Sequence, residues 1–442
     1  MISNRWLAVL CGLFLSTSVH AQVTVNGEKE LMITDLSVVE HPDEVLNPNG
    51  AFHVKTLFNN MAPVGKTAKD VMLSLLASLR DDSLDRQPRQ IDEVVLDKWK
   101  RWRTDGTKLS PTDRVPTDED WDVHWEKAPF RLLAIVNRID LRLNPTIGSA
   151  GEGRLVFGVT DALTGAPLAF TVIFEFVQPT GGDEVKLKGV AESWHELGKS
   201  TAFDQAYVDK LKAIVTQFTS KNASPGAVNG SAIGQIRSNE IQTSFGSAAG
   251  TGWELREWRL SASTGLLAPV SVKETPHNSL DKSETLTFFL DRFDKALNAN
   301  LPEGLLGMRA ITGFDFNFKW QAAGVSASDS RLRRFSVHTC NGCHGGDAAT
   351  GDGTRFFQIE TRAAGHTSQL SGFLTGKHPD GLTVSPVVVP LTGEFDNPPT
   401  NIFSDLLRRK RDFEGLLTSL PGGFDGPSLL FQANQILFDR VH

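Results

Sequence analysis

Apolar positions along the chain fall into two periods. From Thr67 to Leu79, Val71, Leu73, Leu75, Leu76 and Leu79 recur at helical spacing, and Thr67 stands where an N-cap belongs. Similar spacing predicts helices near Val185 to Leu197, Phe203 to Phe218 and Ser279 to Ala299, with a more charged one at Asp92 to Trp102. Strand-like runs are Leu31-Met32-Ile33, Phe130 to Leu141, Arg154 to Val159, Leu168 to Val177, Ile233 to Ile241, Trp253 to Leu260 and Leu266 to Val272. The segment Asp161 to Pro167 joins two of them as a hairpin connection. Strands and helices come in groups without strict alternation, which predicts an α+β body with antiparallel strands.

The pattern changes near Gly324. Ser326 to Ser330 is a capping-type cluster, and Arg331 to Thr339 continues as a short helix that Cys340 and Cys343 are expected to close. A glycine-rich loop follows. A helix from about Ile402 to Leu420 carries Phe403, Leu406, Leu407, Phe413, Leu417 and Leu420 on its apolar side, with Arg408-Arg409-Lys410-Arg411 expected on a solvated face. A last helix opens at Pro427, a favoured first-turn residue. The expected organisation is a leader at 1–21, an α+β body at 22–325, and a mostly helical domain at 326–442.

The leader follows from Arg5, the apolar run Trp6 to Ser16 and the small-residue ending Val19-His20-Ala21. Cleavage after Ala21 would place the mature chain in the periplasm or outside the cell. The run is too short to span a bilayer, and Leu10 before Cys11 does not suit lipid attachment. No later stretch reads as a transmembrane segment. The chain has 442 residues, of which 40% are hydrophobic and 22% charged, an ordinary globular balance. Its formal charge of −7 becomes −8 when the leader takes Arg5 away, so nucleic acid is not an expected partner.

Export changes the meaning of the cysteines. Of three, Cys11 leaves with the leader, and Cys340 and Cys343 remain in an oxidising compartment. They stand in Cys340-Asn341-Gly342-Cys343-His344, the attachment signal for c-type haem. Two thiols at this spacing can form thioethers to the porphyrin, and the next residue is then held as proximal iron ligand. The same pair could instead form a small disulfide, or join His338 and His344 in a metal site. A thioredoxin-like redox pair is disfavoured, because it would open a helix.

On these residues the stretch 326–442 resembles a single-haem c-type cytochrome domain, over about a quarter of the chain. Thr339 to His344, followed by Leu370-Ser371-Gly372-Phe373-Leu374-Thr375-Gly376, is also similar to a group of secreted bacterial proteins to which no activity is attached. The resemblance implies one covalent haem c on Cys340 and Cys343, with His344 on the iron. It departs from the electron-carrying pattern in its sixth ligand: no Met follows the motif, and the last one is Met308. His366, His378 and His442 lie downstream. His366 is the favoured distal ligand, because Leu370, Phe373 and Leu374 after it could cover a haem face.

Other signals carry less. Gly65-Lys66-Thr67 lacks the upstream glycine of a phosphate loop, and His195-Glu196 meets Lys199 where a zinc protease needs histidine. No Gly-x-Ser-x-Gly elbow occurs. The clusters Trp99 to Trp102 and Trp121 to Trp125 read as packing. Three functions remain: electron transfer with a redox partner protein, an enzyme or sensor with an open iron, and a binding protein whose cysteines form a clip.

Overall fold

A computed structural model describes residues 23–80, 91–143, 148–241, 252–273, 275–293, 303–312, 320–327, 329–337, 339–345, 357–377 and 404–418. Its centre is an eight-stranded antiparallel sheet: β1 (Met32–Ile33), β2 (Phe130–Arg138), β3 (Glu152–Thr160), β4 (Pro167–Val177), β5 (Ile233–Ile241), β6 (Trp253–Leu260) and β7 (Leu267–Val270) lie in that order, and β8 (Ala310–Ile311) pairs with β6. This is the expected α+β arrangement. Asp161 makes the β3–β4 turn by accepting hydrogen bonds at Oδ1 from the N–H groups of Leu163 (2.9 Å) and Thr164 (3.0 Å). Gly165 supplies the left-handed φ of +72° that the turn requires.

Both faces of the sheet are covered, which explains the unbroken apolar run in β2. The first face carries most of the helices. Those at Glu184–Gly198 and Gln205–Thr219 start on Asp183 and Asp204, whose side chains accept from first-turn N–H groups. Their buried residues join Ile135, Phe157, Phe174 and Ile236 from the strands in one core. Trp99 meets Trp121 and Trp125 edge-on, at 4.9 and 5.5 Å between ring centres, as packing.

The second face is covered by elements from the C-terminal part. Ile359, Phe373 and Leu374 pack with Met32, Leu133, Ala134, Val136 and Val156. Cys340 and Phe357 pack with Trp253, Leu255, Val272 and Ala310. The helix Asp405–Thr418 lies by the helix Glu184–Gly198 and the turn Ile139–Leu143 that follows β2, and sends Phe413 and Leu416 into the first-face core. Cys340, Phe357, Ile359, Phe373, Leu374, Phe413 and Leu416 therefore share the cores of the sheet, whereas Leu332 and Phe335 of the helix Ser330–Val337 pack in a separate cluster with Leu280, Leu286, Leu290 and Trp320. The leader, the Pro427 helix, His338, His378 and His442 lie outside the described residues. Among the described residues no helix is long and apolar enough to cross a membrane.

Candidate functional site

The Cys-x-x-Cys-His segment is held by a cap. The helix Ser330–Val337 ends before Thr339, and a separate helix runs over Cys340–Gly345. Cys340 thus opens a helix, where the sequence had it closing one. Thr339 Oγ1 donates to the Ser336 carbonyl (2.8 Å) and accepts from the Gly342 N–H (3.1 Å) and from Trp320 Nε1–H (2.9 Å). The Cys340 N–H donates to Thr275 Oγ1 at 3.0 Å, so the body satisfies another first-turn donor. Gly342 is required by space: a Cβ there would stand 2.2 Å from the Ser336 carbonyl oxygen.

This packing turns Cys340 and His344 toward the sheet. Cys340 is a free, buried thiol with Sγ 3.7 Å from the Lys273 carbonyl. Burial pushes its pKa up, against the opposing pull of the Arg237 charge. The His344 ring is buried and lies on the Trp253 indole, at 4.6 Å between centres and 13° between planes. The backbone of Cys343 is in the same helix; its side chain lies outside the described residues. No group of three or more His, Cys, Asp or Glu is arranged to hold a metal ion among the described residues.

His344 forms one wall of a cavity of about 90 Å³ between the sheet and its C-terminal cover. Apolar walls come from Met32, Val136, Val156, Ile173, Leu255, Ile359, Phe373 and Leu374. Polar walls come from Arg138, Arg154, Glu175, Arg237 and Arg409, with Thr171, Asn239 and Gln358. The charged side chains belong to a network across the sheet. Arg154 Nη1 stands 3.3 Å from Glu175 Oε1, and Arg237 Nη2 stands 3.0 Å from Glu257 Oε2, each pair being direct cross-strand partners. The Arg154 and Arg237 charges, set against the cost of burial, hold the Glu175 pKa below its usual range. Near β2, Arg138 makes a two-pronged pair with Asp140, at 3.0 Å from both nitrogens.

The sequence missed this polar lining. It placed Arg408 and Arg409 on a solvated face, but Arg409 is 4% exposed and Arg408 pairs with Asp140 and Asp405 at 2.9 Å each. Leu407, assigned to the apolar side, is 45% exposed. The signal that could have revealed the charged row is the period-two placement of Glu152 and Arg154, of Gln235 and Arg237, and of Glu257 and Arg259 within strands that also carry apolar residues.

His366 is not brought to His344. It is exposed in the turn after Arg362, with Nδ1 3.0 Å from the Ala364 carbonyl, and it does not line the cavity. The turn is pinned elsewhere: the Gly365 N–H donates to Glu40 Oε1 at 3.0 Å, and Arg362 pairs with Glu40. Met308 does not line the cavity either. Met32 does, from the far edge strand β1, upstream of the motif.

One imidazole and two cysteines on the same short helix are the donor types that a haem c would require, and of the described ones His344 lines the cavity while Cys340 does not. The space is smaller than a porphyrin requires. A water occupies about 30 Å³ in the liquid, so the cavity of about 90 Å³ has room for a few waters and not for a macrocycle. No protein-family model matches the chain, and no curated protein or solved structure matches it.

Proposed function

We propose that the chain is an exported haem c protein with a redox role, passing single electrons through one covalently held haem to or from a partner protein in the periplasm or outside the cell. In this reading Cys340 and Cys343 hold the porphyrin and His344 holds the iron. The bound group supplies reversible one-electron chemistry. The chain supplies burial, a fixed imidazole and a charged wall. The observation that carries the reading is the position of His344, which follows the cysteine pair in sequence and forms a wall of the buried cavity.

A second reading, an iron with an open face that binds small ligands, is favoured by the placement of His366 outside the cavity. Met32, the other soft donor among the described lining residues, comes from β1, five strands from Trp253 in the sheet order. The two readings are separated by adding carbon monoxide to the reduced protein. A spectrum that does not change supports electron transfer through a closed iron. Rapid formation of a carbon monoxide complex supports the second reading. A protein made in a haem-attaching host that has no haem absorbance contradicts both.

A further inference from the structure

We propose that the strap 357–377 is a latched gate between an open cleft and the cavity at His344, and that Glu40 is its latch. The two arms of the strap are joined antiparallel. The Glu360 N–H donates to the Gln369 carbonyl (2.9 Å), and the Ser371 N–H donates to the Gln358 carbonyl (3.0 Å). Gln358, Ile359, Phe373 and Leu374 of the strap line the cavity. Thr367, Leu370 and Thr375 of the same strap line a separate cleft of about 740 Å³, together with Asn26, Asp35 and Phe203. Met32 lines both spaces, so this side chain and the strap are the partition between them.

The other walls of the cavity are anchored. Strands β2 to β6 are each bonded to a neighbour on both edges. The helix Asp405–Thr418, which supplies Arg409, buries Phe413 and Leu416 in the first-face core and pairs Asp412 with Arg142. The strap meets the sheet through a smaller apolar cluster that includes Ile359, Phe373 and Leu374, and its tip at 363–367 is exposed. The tip is held at Arg362 and Gly365. Arg362 Nη2–H donates to the Leu132 carbonyl (2.8 Å), and Arg131 Nη1–H donates to the Arg362 carbonyl (2.7 Å). Glu40 adds the charged contact: its carboxylate accepts from Arg362 Nη1–H and, at 3.0 and 3.2 Å, from the Gly365 N–H. Glu40 lies just beyond the helix Leu36–Val39 and lines neither the cavity nor the cleft.

A segment with a small apolar contact and a few clasps opens locally at less cost than the whole chain unfolds. Lifting the strap joins the cleft to the cavity and uncovers His344 without disturbing the sheet. The closed cavity has no room for a macrocycle, so a porphyrin reaches His344 only after a wall has opened, and the strap is the wall with the least core behind it. What passes the gate rests on the haem reading. The gate and its latch do not.

The test is methionine oxidation by dilute hydrogen peroxide in the haem-free full chain, followed by peptide mass spectrometry. Met32 is 4% exposed and packs in one cluster with Phe373 and Leu374, so peroxide reaches it when the strap lifts. Met61 and Met72 are fully buried in the first-face core and report global opening. Glu40→Ala should speed Met32 oxidation at least fivefold and leave the Met61 and Met72 rates unchanged. An unchanged Met32 rate overturns the proposal. An equal rise at all three methionines also overturns it, because Glu40 would then support the whole fold and not the strap. If Glu40→Ala does not fold, Glu40→Gln, which keeps an acceptor for Gly365 but removes the charge facing Arg362, takes the same test with the same outcomes. Haem staining of the unaltered chain from a haem-attaching host keeps the two readings apart. A chain that takes no haem but shows the Met32 response sinks the haem reading and leaves the gate. A chain that takes haem without the Met32 response leaves the haem reading and sinks the gate.

Discussion

The His344 imidazole lies flat on the Trp253 indole, 4.6 Å away and 13° from parallel. Trp253 is itself fixed by its Nε1–H, which donates to Asn239 Oδ1 on β5. The ring that follows the cysteine pair is thus oriented by the sheet and only indirectly by its own helix. Trp253→Ala should cost about 3–5 kcal/mol in urea unfolding, the usual range for a deleted buried Trp. Trp253→Phe keeps an aromatic surface under the imidazole and should cost less than half of that. Equal losses for the two would show that stacking does not matter.

Gly342 and Gly415 make a controlled comparison. A Cβ at Gly342 would run into the Ser336 backbone at 2.2 Å, whereas one at Gly415 meets nothing within 4 Å inside the helix Asp405–Thr418. Gly342→Ala should destabilise by about 1–3 kcal/mol through overpacking. Gly415→Ala should stabilise by about 0.5–1 kcal/mol through helix propensity. Denaturant midpoints of the two variants measure this, and the opposite signs are the expected result.

The charged row on the second face should be sensitive to loss of one partner. Glu175 is buried between Arg154 and Arg237. Glu175→Gln should cost about 3–5 kcal/mol, because it leaves buried cations short of a counter-charge. Lys66→Ala, which removes the solvent-exposed pair with Asp70, should cost under about 1 kcal/mol. Equal effects in equilibrium unfolding would mean that the row is hydrated in solution.

Acid should weaken the body through His53. Its Nδ1 accepts the Lys55 N–H at 3.0 Å as the cap of the helix Val54–Met61, which requires a neutral nitrogen. Burial, with help from Lys55, lowers its pKa from 6.5 to about 4. Below 6.5 the unfolded chain takes up the proton and the folded chain does not, so stability is fully present above pH 6.5 and falls as pH drops toward 4. The loss should approach about 3 kcal/mol. His53→Asn keeps a capping acceptor and should flatten the stability profile in that window. A profile with the same slope in the variant would assign the loss to other groups.

Much of the sheet and its first-face helices was legible because local signals agreed. Asp183 and Asp204 stand before apolar residues at helical spacing, and Asp161 to Gly165 carries the turn chemistry that β3 and β4 need. The site was legible only in its motif. Thr339 reads as the end of the preceding helix by apolar period, yet it caps the next one, and that change reverses the role of Cys340. Arg408 and Arg409 follow the rule for a solvated stripe, but Asp140, which pairs with Arg408, lies in the turn after β2, and Arg138, whose charge bears on Arg409, ends that strand, both far away in sequence. His366 looked well placed because Phe373 and Leu374 follow it. Those two side chains do line the cavity, while the turn at Gly365 is held outward on Glu40.

The covalent bond is the most direct test of the central claim. The full chain should be exported from a host that attaches haem, denatured, separated on a gel and stained for haem peroxidase activity, beside the Cys340→Ala, Cys343→Ala double variant. The account predicts a stained band at the size of the mature chain and none for the variant. An unstained, folded wild-type chain whose intact mass shows only a Cys340–Cys343 disulfide would contradict it.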